Sequence, residues 1–104
     1  MRELNLKEYK SELVLSNKPV IMDFYAEWCG PCKRLSPVME KLHASYGDKV
    51  EIVKVDIEKE RELSDTFGIM SVPTVLAMKE GKIVKTMIGL KPIHEYEQII
   101  DRIL

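Results

Sequence analysis

This chain of 104 residues lacks charge of one sign: 16 Lys and Arg stand against 17 Asp and Glu, a formal charge of −1. There is no basic field to draw nucleic acid or an anionic membrane surface, so neither is expected as a partner. Long hydrophobic runs are missing too. The longest mostly apolar stretch near the N-terminus, positions 19–26, falls far short of the roughly 20 residues a helical span needs. Charges interrupt every apolar stretch in the opening Met1-Arg2-Glu3-Leu4-Asn5-Leu6-Lys7-Glu8, which leaves no signal-peptide core and predicts a cytoplasmic protein. Repeats, linkers and low-complexity tracts are absent. Cysteine is scarce, with only Cys29 and Cys32. A domain of about 100 residues buries a core without disulfide staples, so the two thiols are not a framework. In a reducing compartment such a pair points to catalysis or to a metal.

What is present reads as one α/β domain over 1–104. A brief strand is predicted at 2–5 and a short amphipathic helix at 6–16, with Leu6, Tyr9, Leu13 and Val14 at helical spacing. Positions 19–25 are nearly continuously apolar, the pattern of a central strand covered on both faces. Leu35, Val38, Met39, Leu42 and Tyr46 form one face of a helix over 32–46, with Gly47 as its stop and Pro37 inside it predicting a kink. A second buried strand is expected at 51–56. A short helix follows at 60–67, closed by Gly68. Strands at 74–79 and 82–88 flank a Glu80-Gly81 hairpin signal. In the last helix Ile93, Tyr96, Ile99, Ile100, Ile103 and Leu104 share a face, and Pro92 sits in the first turn. The order β-α-β-α-β-α-β-β-α implies a mostly parallel sheet with helices on both faces, made mixed by the closing hairpin.

The chemistry concentrates in Trp28-Cys29-Gly30-Pro31-Cys32-Lys33, between a predicted strand and a predicted helix. Two thiols separated by two residues close a small-ring disulfide that another protein's thiols can open. A helix N-terminus offers free N–H groups and partial positive charge, and both stabilise the thiolate that acts as nucleophile. Cys29, ahead of the helix, is expected to be exposed and to attack. Cys32, one step in, is expected to be shielded and to resolve the mixed disulfide. Gly30 permits close backbone approach to a substrate. Pro31 removes an N–H near Cys29, so the dithiol form is less stabilised, which argues for a reductant. The competing reading is a zinc half-site. Zinc needs four ligands, and the remaining candidates, His43 and His94, are not arranged as a second pair; no metal is expected.

Asp23 and Lys54 each interrupt a buried apolar strand. An ionised carboxylate there is costly unless paired. One reading is a structural ion pair. The other makes Asp23 the proton acceptor for Cys32, its pKa raised by burial and held in check by Lys54.

The stretch Val20-Ile21-Met22-Asp23-Phe24-Tyr25-Ala26-Glu27-Trp28-Cys29-Gly30-Pro31-Cys32-Lys33 closely resembles the active-site strand and loop of the thioredoxin family. Phe67-Gly68-Ile69-Met70-Ser71-Val72-Pro73-Thr74 downstream, and Gly89 after the last strand, extend the resemblance to nearly the whole chain. It implies the thioredoxin fold, a central mixed sheet of four to five strands flanked by about four helices. It also implies a protein-disulfide reductant and electron carrier, needing no cofactor beyond the Cys29–Cys32 disulfide. Its partners would be a thioredoxin reductase and disulfide-bearing target proteins, and a monomer is expected. Pro73 would be cis beside the disulfide, and Val72 would offer its backbone to an extended substrate segment. Trp28, Gly30, Pro31, Met70, Ser71, Val72, Gly89 and Leu90 would form an apolar docking surface. Tyr25 departs from the tryptophan of many relatives, and the short segment before the first helix puts the sheet edge in doubt. An oxidant or isomerase of the same fold, and an accessory binding subunit with idle cysteines, are the alternatives.

Overall fold

The computed structural model describes all residues 1–104. Five strands form one sheet in the order β1-β3-β2-β4-β5. They are β1 (Arg2–Glu3), β2 (Val20–Tyr25), β3 (Glu51–Asp56), β4 (Thr74–Lys79) and β5 (Lys82–Ile88). β1, β3 and β2 run parallel, while β4 lies antiparallel to both β2 and β5. The helices are α1 (Leu6–Glu8), α2 (Gly30–Tyr46), α3 (Arg61–Thr66) and α4 (Ile93–Ile103).

The alternation of β2 and β3 divides the core in two. Ile21 and Ile52 face α2 and α4, where Leu35, Met39, Leu42, Tyr96, Ile99 and Ile100 pack. Met22, Phe24, Val53 and Val55 face the opposite layer with Leu4, Leu13 and Leu63. The Asp23 side of β2 is therefore the α2/α4 side, and its C-terminal end meets the start of α2.

Several expectations shift. β1 is two residues long, because the chain leaves the sheet at Leu4 and turns into α1 through a capping box between Asn5 and Glu8. The helix predicted over 6–16 is one α turn followed by a π-helical stretch at Tyr9–Leu13. Its Val14 N–H reaches back to the Tyr9 carbonyl at 3.0 Å. That wider turn carries Val14 off the apolar face, and it is 46% exposed. Pro19 follows soon after and demands extended backbone before it. α2 begins two residues earlier than the hydrophobic spacing indicates, with Cys29 as its cap, and runs through Pro37 to Tyr46. Pro92 caps α4 from outside its first turn, and Leu104 lies past its last turn, 49% exposed. At the β4–β5 hairpin Glu80 and Gly81 both take positive φ, 53° and 77°, the conformation a two-residue turn of this hand requires.

Leu35 is fully buried on α2. Leu35→Ala is expected to cost about 2–5 kcal/mol in urea unfolding, and Leu104→Ala under about 0.5 kcal/mol. Equal costs would place Leu104 in the core after all.

Candidate active site

The first turn of α2 is built around sulfur. The Cys29 carbonyl accepts the first intrahelical bond, from the Lys33 N–H at 3.2 Å. The Cys29 side chain caps the helix, its Sγ accepting from the Cys32 N–H at 3.2 Å. A cap side chain draws on the amides two and three positions into the helix. Here the first of these is Pro31, which has none, so a single amide serves the sulfur. Cys29 and Cys32 are joined as a disulfide, their Cα atoms 5.2 Å apart.

Cys29 is 4% exposed and Cys32 5%. The expected contrast, an open Cys29 beside a shielded Cys32, is therefore absent from the disulfide form. The cap interaction turns the Cys29 sulfur inward, and Ala26, Tyr25, Ile57 and Val72 pack against the pair. The two cysteines differ in what they border. Cys32 lines a cavity of about 460 Å³ together with Asp23, Tyr25, Ala26, Glu27, Lys33, Ser36 and Lys54, and Cys29 does not.

Asp23 is 2% exposed, and its Oδ1 has no hydrogen-bond partner. Burial raises its carboxyl from 3.8 to about 7, the Lys54 charge opposing the rise and the Glu3 charge adding to it. Asp23 and Lys54 are aligned across β2 and β3, as neighbouring strands allow. They do not form a contact ion pair: the Lys54 Nζ lies over the Tyr25 ring, 4.6 Å from its centre. The Tyr25 hydroxyl donates to the Glu3 carboxylate, 2.6 Å from Oε1. Glu3 and Tyr25 were missed by reasoning from sequence. Tyr25, two residues from Asp23 in a strand, had a legible signal in that spacing. Glu3 had none, since the register of a two-residue strand is not written in its composition.

Around the disulfide the rim is apolar. Trp28 is 67% exposed, Met70 97% and Leu90 41%. Gly30, Pro31 and Ser71 are exposed, Val72 and Gly89 are half-buried, and Pro73 is buried. The Val72–Pro73 peptide is cis. The Pro73 carbonyl accepts from the Gly89 N–H at 2.9 Å, which ties the two loops together. A Cβ added to Gly30 would meet only Arg34 Nη1, at 3.8 Å; nothing inside the chain demands glycine there. Ile88, 60% exposed beside Gly89, shares a groove with Met70 and Ser71 and was not foreseen. No three His, Cys, Asp or Glu side chains gather as a metal cage.

Comparison with known proteins agrees with this geometry. The Thioredoxin family model matches residues 1–102. The chain belongs to the thioredoxin family. It is 42% identical over 83 residues to thioredoxin of Bacillus subtilis, covering 80% of each chain. Against thioredoxin of Haemophilus influenzae the identity is 35% over 99 residues, 95% of this chain and 92% of that one. A mitochondrial thioredoxin of Bos taurus is 39% identical over 97 residues, 93% of this chain and 58% of that protein. With the cysteine pair of the thioredoxin family in place, the protein is a protein-disulfide oxidoreductase and a general disulfide reductant.

The raised Asp23 carboxyl sets a pH dependence of stability. The folded state holds this proton more tightly than the unfolded chain, so the stability of the parent falls as pH rises between 3.8 and about 7. Asp23→Asn removes that loss. Its stability advantage is expected to grow across this window to roughly 4 kcal/mol, and parallel stability curves would contradict the assignment. Pro31→Ala restores an amide to the cap. It is expected to raise the reduction potential by about 30 mV, the worth of one hydrogen bond to a charged sulfur; an unchanged potential would separate Pro31 from thiolate stability.

Proposed function

We propose that the protein is an electron carrier of the cytoplasm, reduced by a thioredoxin reductase and oxidised by disulfide-bearing target proteins. The observation that supports this reading is the different surroundings of the two sulfurs at the start of α2. The Cys29 sulfur faces the helix amide, and Cys32 borders the cavity that holds Asp23.

Cys29 acts as the nucleophile. Its thiolate attacks one sulfur of a target disulfide, a Cys29–target bond forms, and the other target sulfur leaves as a thiolate. Cys32 then gives its proton to Asp23, directly or through water in the cavity, and attacks the Cys29 sulfur. The Cys29–target bond breaks, the second target thiolate leaves, and the Cys29–Cys32 disulfide remains. The target has gained two electrons, which the reductase later returns to the pair. A carboxyl raised to about 7 accepts a proton near neutral pH without holding it irreversibly. The Lys54 charge keeps that affinity from rising further.

Trp28, Met70, Ser71 and Leu90 form the docking rim, with Gly30 and Pro31 leaving room above the disulfide. Val72, beside the cis Pro73 and the Gly89 loop, offers backbone to an extended target segment as an added strand does. A reducing cytoplasm suits a chain whose cysteines are a single exchangeable pair.

Incubated with a reducible target, the Cys32→Ser protein is expected to accumulate target linked through Cys29, and Cys29→Ser to show no turnover. In the Asp23→Asn protein mixed disulfides are expected to form at nearly the parent rate and to be released about 10²-fold more slowly. Unchanged release would remove Asp23 from the step. A potential more negative than about −250 mV is expected for the Cys29–Cys32 couple; one near about −150 mV would make the protein an oxidant or isomerase.

A further inference from the structure

Neither Glu3 nor Tyr25 has a part in the exchange steps, yet Tyr25 lines the Asp23 cavity and Glu3 is hydrogen-bonded to Tyr25. Register places Glu3 beside Lys54 across β1 and β3, and Lys54 beside Asp23 across β3 and β2. Residues aligned in a parallel sheet project to one face, so Glu3, Lys54 and Asp23 form a row of alternating charge. An ammonium between two carboxylates is expected to pair with one of them. Lys54 forms an ion pair with neither. Its Nζ rests on the Tyr25 ring, a favourable seat for a cation. The same tyrosine donates its hydroxyl to both oxygens of Glu3, at 2.6 and 2.5 Å. One side chain thus occupies both groups that would otherwise compete around Asp23.

We propose that Tyr25, anchored by Glu3, is a positioning residue that seats the Lys54 ammonium on its ring and off the Asp23 carboxylate, so that Asp23 exchanges a proton instead of being locked in a buried ion pair. The electrostatics agree: burial outweighs Lys54 at Asp23, and Glu3 acts in the same direction as burial. The other groups facing Asp23 leave this assignment intact. Glu27, Cys32 and Lys33 share its cavity, and the Tyr96 phenol on α4 senses its charge. β4 opposes it with the uncharged Val75. If Lys54 leaves the ring, the nearest buried acceptor in its row is Asp23.

The proposal deepens the reading of Asp23 as proton acceptor, but its test reads Asp23 itself. That reading stands or falls separately, on release kinetics. The Asp23 carboxyl carbon is titrated by NMR in the disulfide form, where neither cysteine ionises. Tyr25→Leu is expected to lower the Asp23 midpoint by about one pH unit, the effect of a cation brought within about 4–6 Å. Tyr25→Phe keeps the ring, frees Glu3, and is expected to lower it by less. In a Lys54→Met background both shifts are expected to vanish. Shifts that persist without Lys54 would mean that Tyr25 acts only by excluding water, and would overturn the proposal. No shift in Tyr25→Leu would overturn it as well. No shift in Tyr25→Phe would remove the Glu3 anchor. Tyr25→Phe changes one hydroxyl, so the anchor remains testable if Tyr25→Leu fails to fold.

Discussion

The hydrogen bond from the Cys32 N–H to the Cys29 sulfur is the contact on which the site depends. It makes a cysteine do the work of a cap, and it places the first turn of α2 directly at the end of β2. From there the geometry propagates. The helix carries Leu35, Met39 and Leu42 onto the sheet, which fixes its axis. That axis holds Cys32 over the cavity of Asp23. A helix cap is normally an oxygen, and stabilises by satisfying an amide. A sulfur in the same place satisfies the amide less well, and is itself tuned by it. The positive end of the helix favours the thiolate, while Pro31 limits that favour to one donor. Two opposed influences, the helix end and the missing proline amide, thus act on the same sulfur.

Directly below, a second group is kept out of balance. Asp23 lies on the packed face of the sheet with one oxygen unpartnered, at a cost to stability that grows with pH. A protein selected for stability alone would place an apolar residue there or close the Asp23–Lys54 pair. Neither has happened. Buried polar groups without partners are uncommon and point to a task. In the proposed exchange that task is to take a proton from the Cys32 thiol across their shared cavity, and a fully paired carboxylate would be a poor acceptor. The strain is affordable because the remainder of both core layers is continuous hydrocarbon.

Much of this was legible in the residues. The strands β3, β4 and β5 fall where the apolar runs and the Glu80-Gly81 turn place them, because patterning and turn chemistry agree there. The cysteine pair, Asp23 and Lys54 stand out as polar or reactive interruptions of apolar pattern. What was not legible depends on the third dimension. The start of α2 at Gly30 precedes its first buried helical residue, and only the cap geometry reveals it. The burial of Cys29 follows from a sulfur turned inward, which no linear pattern records. The π-helical turn at Tyr9–Leu13 shows a similar limit: helical spacing marks apolar positions without saying how wide each turn is. Sequence left two readings of Lys54 open, an ion pair with Asp23 or a charge that holds its pKa in check. The register follows from neighbouring strands, but the ion pair is not formed, since the competing seat on Tyr25 belongs to another residue's side chain.

The surroundings of the disulfide explain how one short chain serves as a general reductant. Trp28, Met70, Ile88 and Leu90 present apolar surface with no charge among them, and Met70 is almost wholly solvated. A flexible thioether and an indole tolerate many shapes. Charged groups lie instead on the cavity side, where Glu27, Lys33 and Lys54 surround Asp23. Charge at a docking rim discriminates, because a like charge on a partner is repelled and an unmatched one is desolvated. Under the proposed exchange, keeping charge off the rim and concentrating it around Asp23 separates two demands on the site. Recognition would then stay permissive while the proton step is tuned, and specificity would rest on the one feature the targets share, a disulfide accessible to Cys29.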